Sequence, residues 1–91
     1  MSRELRSQFL VCNPKCYLYG QKAYDLEKVA EELAVKYDVD IIFTGSLVDL
    51  ARMAKDFPHL IICAQNMEEL RPGKGMGHIL PEALKEAGVQ A

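Results

Sequence analysis

The chain has 91 residues, of which 49% are hydrophobic and 26% charged, with a net charge of -2 and a pI of about 5.6. This length allows one domain, and the mixture is typical of a globular chain. The slight acidity argues against nucleic-acid or anionic-membrane partners, because both require a basic patch. Residues 1–6 lack the apolar core of a signal peptide, and no apolar run reaches the roughly 20 residues of a membrane span.

Three cysteines occur in the chain, namely Cys12, Cys16 and Cys63. An odd number without an export segment indicates a reducing, cytoplasmic location. Cys12 and Cys63 lie in apolar runs and are interpreted as small hydrophobic residues. Structural zinc sites typically combine two Cys-Cys or His-His pairs at short spacing, and the sequence has no second pair to match Cys12 and Cys16, so no metal site is predicted.

Apolar runs alternate with helical patterns along the chain. The first run, Phe9–Cys12, is followed by hydrophobic residues at spacings of three and four from Ala23 to Tyr37. This spacing predicts an amphipathic helix. The second run, Asp40–Thr44, is rich in β-forming residues. The glutamates of the predicted helix are expected on its solvated side: Glu27, Glu31 and Glu32.

The second half of the chain repeats this alternation. A helix is predicted around residues 47–54, opened by a weak capping box from Ser46 to Asp49. His59–Ala64 is a third strand, and a glycine-bearing loop runs from Gln65 to Gly77. A third helix is predicted from about Leu80 to Ala87, with a proline in its first turn and a glycine after its end.

The three strands are continuously apolar, which is typical of parallel strands buried on both faces. Strand–helix alternation then predicts right-handed crossovers and the α/β class. Residues 89–91 stand where a fourth strand would begin. Three strands alone leave two unpaired edges and a poorly covered face. We therefore expect either part of a larger fold or a chain that pairs with a partner or another copy.

Asn13 and Lys15 follow the first strand, and parallel α/β proteins collect functional residues at the carboxyl ends of strands. Lys15 is expected to project above this end. A lysine there is able to neutralise a phosphate or a developing enediolate oxygen. The sequence pattern by itself favours an ordinary solvated loop lysine.

Several other polar residues are candidate site residues. The loop from Arg71 to His78 has glycines at alternate positions, which suggests a phosphate cradle. Its spacing matches neither common nucleotide-binding glycine motif, so a flexible or partner-contacting loop is preferred. Gln65 and Asn66 either line a site or hydrogen-bond a turn. His59 and His78 start the third strand and third helix, and no Ser-His-Asp or Cys-His set can be assembled.

Three groups of residues resemble motifs of the triose-phosphate isomerase family. Asn13-Pro14-Lys15-Cys16-Tyr17 matches the Asn-x-Lys-x-Tyr that ends the family's first strand. Ala64-Gln65 matches the end of its third strand. Pro72-Gly73 and Gly77 lead into residues 80–88, which resemble the family's Leu-Pro-Glu-Ala-x-Lys-Glu-Ala-Gly. The order and spacing hold from Phe9 onward.

The resemblance implies a parallel (β/α)8 TIM barrel, of which residues 1–91 form a single partial domain, a (βα)3 segment. It implies cofactor-free interconversion of a small phosphorylated aldose and ketose through an enediolate, as in glycolysis and gluconeogenesis. Lys15 would be catalytic and would balance phosphate and enediolate charge, while Asn13 would bind substrate. A homodimer or higher oligomer is implied, with dimer contacts at Gln65, Gly73, Lys74, Gly75, Met76 and Gly77.

The sequence departs from the family pattern in several places. Pro14 and Cys16 stand where the family commonly has Phe and Thr, and Met76 stands near a commonly threonine loop tip. Thr44-Gly45-Ser46 replaces a small-residue and proline pattern. These departures are consistent with a divergent relative that acts on a different small sugar phosphate.

Other parts of the family's site lie beyond residue 91. The resemblance places an electrophilic histidine on the fourth strand, a glutamate base on the sixth, and phosphate loops after strands six to eight. The 91 residues alone are therefore expected to be inactive. Two alternatives stay open: a non-catalytic, self-associating barrel segment, and a small phosphate-binding module built on Lys15 and the loop from Arg71 to Lys74.

Overall fold

The computed structural model describes residues 5–6, 8–15, 17–69, 71–73 and 75–91. Its elements form one three-stranded parallel sheet in the order β1-β2-β3, with helices between the strands, which confirms the α/β prediction. The elements in chain order are β1 Phe9–Cys12, α1 Gly20–Tyr37, β2 Asp40–Gly45, a 3₁₀ turn Leu47–Asp49, α2 Leu50–Asp56, β3 Ile61–Ala64 and α3 Pro81–Glu86. Among the described residues, no helix has the length and apolarity needed to cross a bilayer.

One face of the sheet packs against the helices. Cys12, Phe43 and Ile62 are in register on adjacent strands, so their side chains point to the same side of the sheet. Phe43 has no exposed surface, and Ile62 is almost as buried. Both belong to a core cluster that includes Leu50 and Met53 of α2. Burying a side chain of this size stabilises the fold by roughly 1.5–3 kcal/mol.

β1 departs from the predicted double burial. Phe9 and Leu10 are exposed, and Val11 is 61% exposed. The prediction is wrong for this strand because, within the described part of the chain, β1 lies at the edge of the sheet and pairs with β2 alone. The expected open edge is therefore confirmed on the β1 side.

The opposite edge is engaged by the end of the chain. The Ala91 N–H donates to the Ile62 carbonyl at 3.2 Å, and the Ala64 N–H donates to the Ala91 carbonyl at 3.0 Å. Ala91 thus bonds to the residues on either side of Cys63, which is the hydrogen-bond pattern of two parallel strands. Residues 90–91 thus lie where a fourth strand was expected, and buried Val89 anchors them in the core.

The glutamates of α1 correct the sequence analysis. Glu32 is exposed as expected, but Glu27 is fully buried. Glu27 belongs to the stripe of α1 that faces the core together with Ala23, Ala30 and Ala34. Its position in the helical repeat is therefore a core position, although its side chain is polar. Glu31 is also bound: its carboxylate accepts the backbone N–H of His59 and pairs with the His59 ring. This contact ties α1 to the segment before β3.

The predicted capping box is also wrong. The Ser46 side chain makes no cap hydrogen bond, and the Ser46 carbonyl instead accepts the Asp49 N–H at 2.9 Å to form the 3₁₀ turn. The Asp49 carboxylate accepts the N–H of Gly20 at 3.1 Å. Asp49 therefore satisfies an N–H at the start of a different helix, α1, and joins the loop after β2 to the loop after β1.

An ion pair closes the amino end of the sheet. Asp40, which is 1% exposed, accepts hydrogen bonds from the Arg6 guanidinium at 2.7 and 3.0 Å and from the Arg6 N–H at 2.9 Å. The same guanidinium reaches Asp38 at 3.0 Å. A buried carboxylate needs such partners to offset its lost hydration.

Gly88 turns the end of α3 toward residues 89–91. Its φ of +99° is rarely adopted by L side chains. In this conformation the Gly88 N–H donates to the Lys85 carbonyl and the Val89 N–H donates to the Leu84 carbonyl, both at 3.0 Å. A Cβ at Gly88 would also lie 2.8 Å from the Ala54 Cβ, because α3 ends close against α2.

We expect Gly88→Ala to lower the free energy of unfolding by about 2–4 kcal/mol, since backbone strain and a steric overlap add together. Gly20→Ala is the matched control: its φ is +59° and its added Cβ meets open space, so it should cost only about 1 kcal/mol. Urea denaturation measures both. Equal losses for the two variants would contradict the close approach to Ala54.

Candidate functional site

Asn13 and Lys15 form a turn at the carboxyl end of β1. The Asn13 Oδ1 accepts the backbone N–H of Lys15 at 2.9 Å, which is an Asx-type turn. The Pro14 carbonyl accepts the N–H of Tyr17 at 3.2 Å. Lys15 has a φ of +55°, in the left-handed region. For a residue other than glycine this conformation costs roughly 1–2 kcal/mol, so the surrounding bonds must hold it.

Gln65 supplies one of those bonds from a different strand. It follows β3, and its Nε2 donates to the Lys15 carbonyl at 2.7 Å, although 50 residues separate the two. Parallel strands all have their carboxyl ends at the same end of the sheet, which brings the loops after β1 and β3 together. The structure therefore assembles Asn13, Lys15 and Gln65 into one site. Gln65 was predicted as a dimer contact; the observed bond lies within the chain, and its contact with a second subunit stays a prediction.

The chemistry of this site suits an anion. The Asn13 oxygen already accepts a bond, so the amide nitrogen is the part of this side chain that offers donors to a ligand. Lys15 is exposed and carries a positive charge on a long, mobile stem. One cation and one amide donor at a strand end are able to bind a phosphate or an oxygen that becomes negatively charged during a reaction.

The loop between β3 and α3 closes on itself at its base. The Glu68 N–H donates to the Ile79 carbonyl at 3.0 Å, and the Glu68 carboxylate pairs with the His78 ring. From this base the loop extends to Met76, which is 94% exposed. Such a projecting apolar tip fits a partner-contacting loop better than a phosphate cradle.

The remaining predicted dimer contacts lie along this loop. The structure describes Gly73, Gly75 and Gly77, whereas Lys74 lies outside the described residues. Cys16, which follows Lys15, also lies outside them. Gly77 has a φ of +83°, which lets the chain reverse beside the tip.

Neither histidine joins the Lys15 site. His59 precedes β3 and therefore lies at the opposite, amino end of that strand, where it pairs with Glu31. His78 is bound to Glu68 at the base of the loop. The described residues include no cluster of three potential metal ligands. Cys12 is a free thiol whose pKa is raised by burial and by the nearby Glu27, so it is a poor nucleophile near neutral pH.

Sequence reasoning missed three contacts that shape this end of the sheet: Gln65 with Lys15, Asp49 with Gly20, and Glu68 with His78. The position of Gln65 after β3 marks it as a candidate site residue, but its partner depends on strand register, which the sequence pattern does not specify. Each contact joins residues that belong to different loops or to the two ends of one loop.

Comparison with known proteins agrees with this architecture. The model of the triosephosphate isomerase family matches residues 8–91. Triosephosphate isomerase of Methanocaldococcus jannaschii is 32% identical over 81 residues, which cover 87% of this chain and 36% of the relative. That of Saccharolobus solfataricus is 31% identical over 88 residues, 94% of this chain and 38% of the relative. That of Methanobacterium bryantii is 31% identical over 90 residues, 97% of this chain and 39% of the relative.

These matches identify the family and show how much of its length the chain covers. The chain spans less than two-fifths of the length of these relatives. Within that span the three parallel strands, the helices between them and the residues of the candidate site all fall in the matched region. The chain belongs to the triosephosphate isomerase family.

Proposed function

We propose that this chain provides the first three βα units of a TIM-barrel isomerase that interconverts a small phosphorylated aldose and ketose. One observation carries the proposal: the Asn13–Lys15 turn stands at the carboxyl end of β1 and is tied to Gln65 at the end of β3. Lys15 would neutralise phosphate and enediolate charge, and Asn13 would hydrogen-bond the substrate. Residues 1–91 would form one partial barrel domain.

The proposed reaction needs a positive charge at this place. When a base removes the proton from the carbon beside a carbonyl, the bonding electron pair moves onto the carbonyl oxygen and creates an enediolate. A nearby ammonium group stabilises that negatively charged oxygen more strongly than it stabilises the neutral carbonyl, which lowers the barrier. A proton then passes from the neighbouring hydroxyl oxygen to the enediolate oxygen, and the proton held by the base is returned to the neighbouring carbon. Aldose and ketose therefore interconvert without net redox change or cofactor.

The 91 residues provide only part of this machinery. The histidine and the glutamate that the family resemblance implies belong to later strands, beyond the matched span. Loss of a general base alone costs about 10²–10⁴-fold in rate. We therefore propose that this chain alone binds a sugar phosphate without turning it over, and that it acts in the reducing cytoplasm, where its cysteines stay free.

The apolar loop tip supports a homo-oligomer. Gly73 to Gly77 would contact a second copy, since an exposed methionine on a loop with a closed base presents adaptable apolar surface. A second mode of self-association is favoured by a separate observation. The edge of β1 is open, and Leu10 and Val11 are exposed beside Val29 and Leu33 of α1. This edge and groove would drive pairing of barrel segments without catalysis.

Lys15→Met should weaken binding of glycerol 3-phosphate, an unreactive triose-phosphate analogue, by about 10–100-fold, because a charge-assisted contact is lost. Isothermal titration calorimetry measures the affinity. Lys55→Met is the control, since Lys55 is exposed at the last turn of α2, toward the amino end of the sheet. An affinity that survives Lys15→Met unchanged would exclude this lysine from the site.

Gln65→Ala should raise hydrogen exchange of the Lys15 and Tyr17 amides about fivefold to tenfold, because the bond to the Lys15 carbonyl no longer holds the turn. Binding of glycerol 3-phosphate should weaken as well, and Gln65→Glu should not restore it, since a carboxylate is unable to donate. Asn66→Ala, at the exposed next position, serves as the control. Unaltered exchange in Gln65→Ala would show that Gln65 has no positioning role.

Met76→Asp should raise the dimer dissociation constant by about tenfold or more, because a charge would be buried at the contact. Sedimentation velocity over a range of concentrations measures it. Val11→Lys changes the β1 edge instead and should leave a loop-mediated dimer intact. The reverse result, with association lost only in Val11→Lys, would favour edge pairing over the proposed dimer.

A further inference from the structure

Glu27 is the most unusual side chain in the core. It is fully buried, and neither carboxyl oxygen has a hydrogen-bond partner among the described residues. It points from α1 into the interface with the sheet, in the stripe that otherwise contains alanines. A carboxyl group in such a place is costly when ionised, since nothing replaces the water that it loses.

The charges around Glu27 add to this cost. Asp49 in the 3₁₀ turn and Asp56 in α2 both repel a carboxylate, and Arg52 of α2 is the one described cation that attracts it. The Arg52 guanidinium is committed elsewhere: it stacks 3.9 Å from the centre of the Tyr24 ring and lies 3.8 Å from Asp56. Burial, with Asp49 second, raises the pKa of Glu27 from 4.5 to about 8.

Among the residues that the structure describes, the other neighbouring elements offer no compensating cation. The β1 group near Glu27 is the Cys12 thiol, whose pKa Glu27 itself raises. The ionisable side chain of β2 is Asp40, which is paired with Arg6. On α1 itself, the Tyr24 hydroxyl donates to Asp56 at 3.0 Å. Glu27 is therefore held in its neutral form by the packing of α1 against β1, β2 and α2.

We propose that Glu27 is a pH switch: its neutral form keeps α1 packed on β2 and α2, and its ionisation loosens this packing and the Asn13–Lys15 turn that continues from β1. Two electrostatic neighbours of Glu27 connect the switch to the loops at this end of the sheet. Glu27 lies near Cys12, whose neighbour along the chain is Asn13. Asp49, which repels Glu27, also accepts the Gly20 N–H at the start of α1. The consequence for ligand binding rests on the proposed function, whereas the switch itself does not.

The direction of the pH dependence follows from the pKa shift. Below pH 4.5 the folded and unfolded chains both hold the proton, and the stabilisation is complete. As the pH rises from 4.5 to about 8, the unfolded chain releases the proton first and stability falls. The unfolding equilibrium constant should rise by up to about tenfold per pH unit in this window. Above the folded-state pKa the loss levels off.

Glu27→Gln tests the switch, because the amide keeps the shape and has no charge to bury. Urea unfolding between pH 6 and about 9 should show a steep loss of stability in the natural chain and a much flatter profile in Glu27→Gln. Glu32→Gln, on the exposed side of the same helix, should follow the natural chain. Coincident profiles for the natural chain and Glu27→Gln would overturn the proposal.

A measurement on the unmutated chain keeps the proposal testable if the variant does not fold. Carbon NMR of the Glu27 carboxyl should give a titration midpoint well above 4.5, and the amide resonances of Asn13 and Lys15 should move with the same midpoint. A midpoint at the ordinary value would overturn the switch. Stationary Asn13 and Lys15 resonances would overturn its link to the site. Failure of glycerol 3-phosphate to bind would instead overturn only the proposed function.

Discussion

The parallel pairing of β1, β2 and β3 is the constraint on which the rest of the structure depends. It directs all three carboxyl ends to one edge of the sheet, so that the loops after β1 and β3 meet even though they are 50 residues apart. Lys15 keeps its left-handed backbone because Asn13 binds its N–H and Gln65 binds its carbonyl. The helices pack on one face of the same sheet, and Asp49 fixes the start of α1 from the loop after β2.

Hydrophobic periodicity was sufficient to predict the class and the elements, because buried strands and amphipathic helices repeat at different intervals. The alternation of strands and helices also predicted that a fourth strand begins at residues 89–91, and residues 90–91 bond to β3. Periodicity failed where one residue decides the outcome. Glu27 occupies a core-facing position with a polar side chain, and Ser46 has the right type for a helix cap while Asp49 caps another helix. Such contacts depend on tertiary distances that no local pattern specifies.

The candidate site also has a part that the sequence predicts and a part that only the structure reveals. The position after a strand and the family resemblance predict Asn13 and Lys15 as site residues. The hydrogen bond from Gln65 to the Lys15 carbonyl is not predicted, because it depends on the register of the sheet. Two exposed surfaces, the β1 edge and the Met76 tip, are proposed to take part in two different kinds of association. The first suits completion of a sheet, and the second suits contact between copies. Both are consistent with a chain that spans less than two-fifths of the length of its relatives.

The central claim is that the carboxyl-end cluster of Asn13, Lys15 and Gln65 is the part of the chain that receives a sugar phosphate. The most direct test is a ¹⁵N–¹H NMR titration of the labelled chain with glycerol 3-phosphate. The account predicts saturable shifts centred on the Asn13, Lys15 and Gln65 amides, with the Gln65 side-chain amide moving as well. Shifts confined to the glycine loop near Arg71 and Gly73, or no saturable shifts at all, would contradict it.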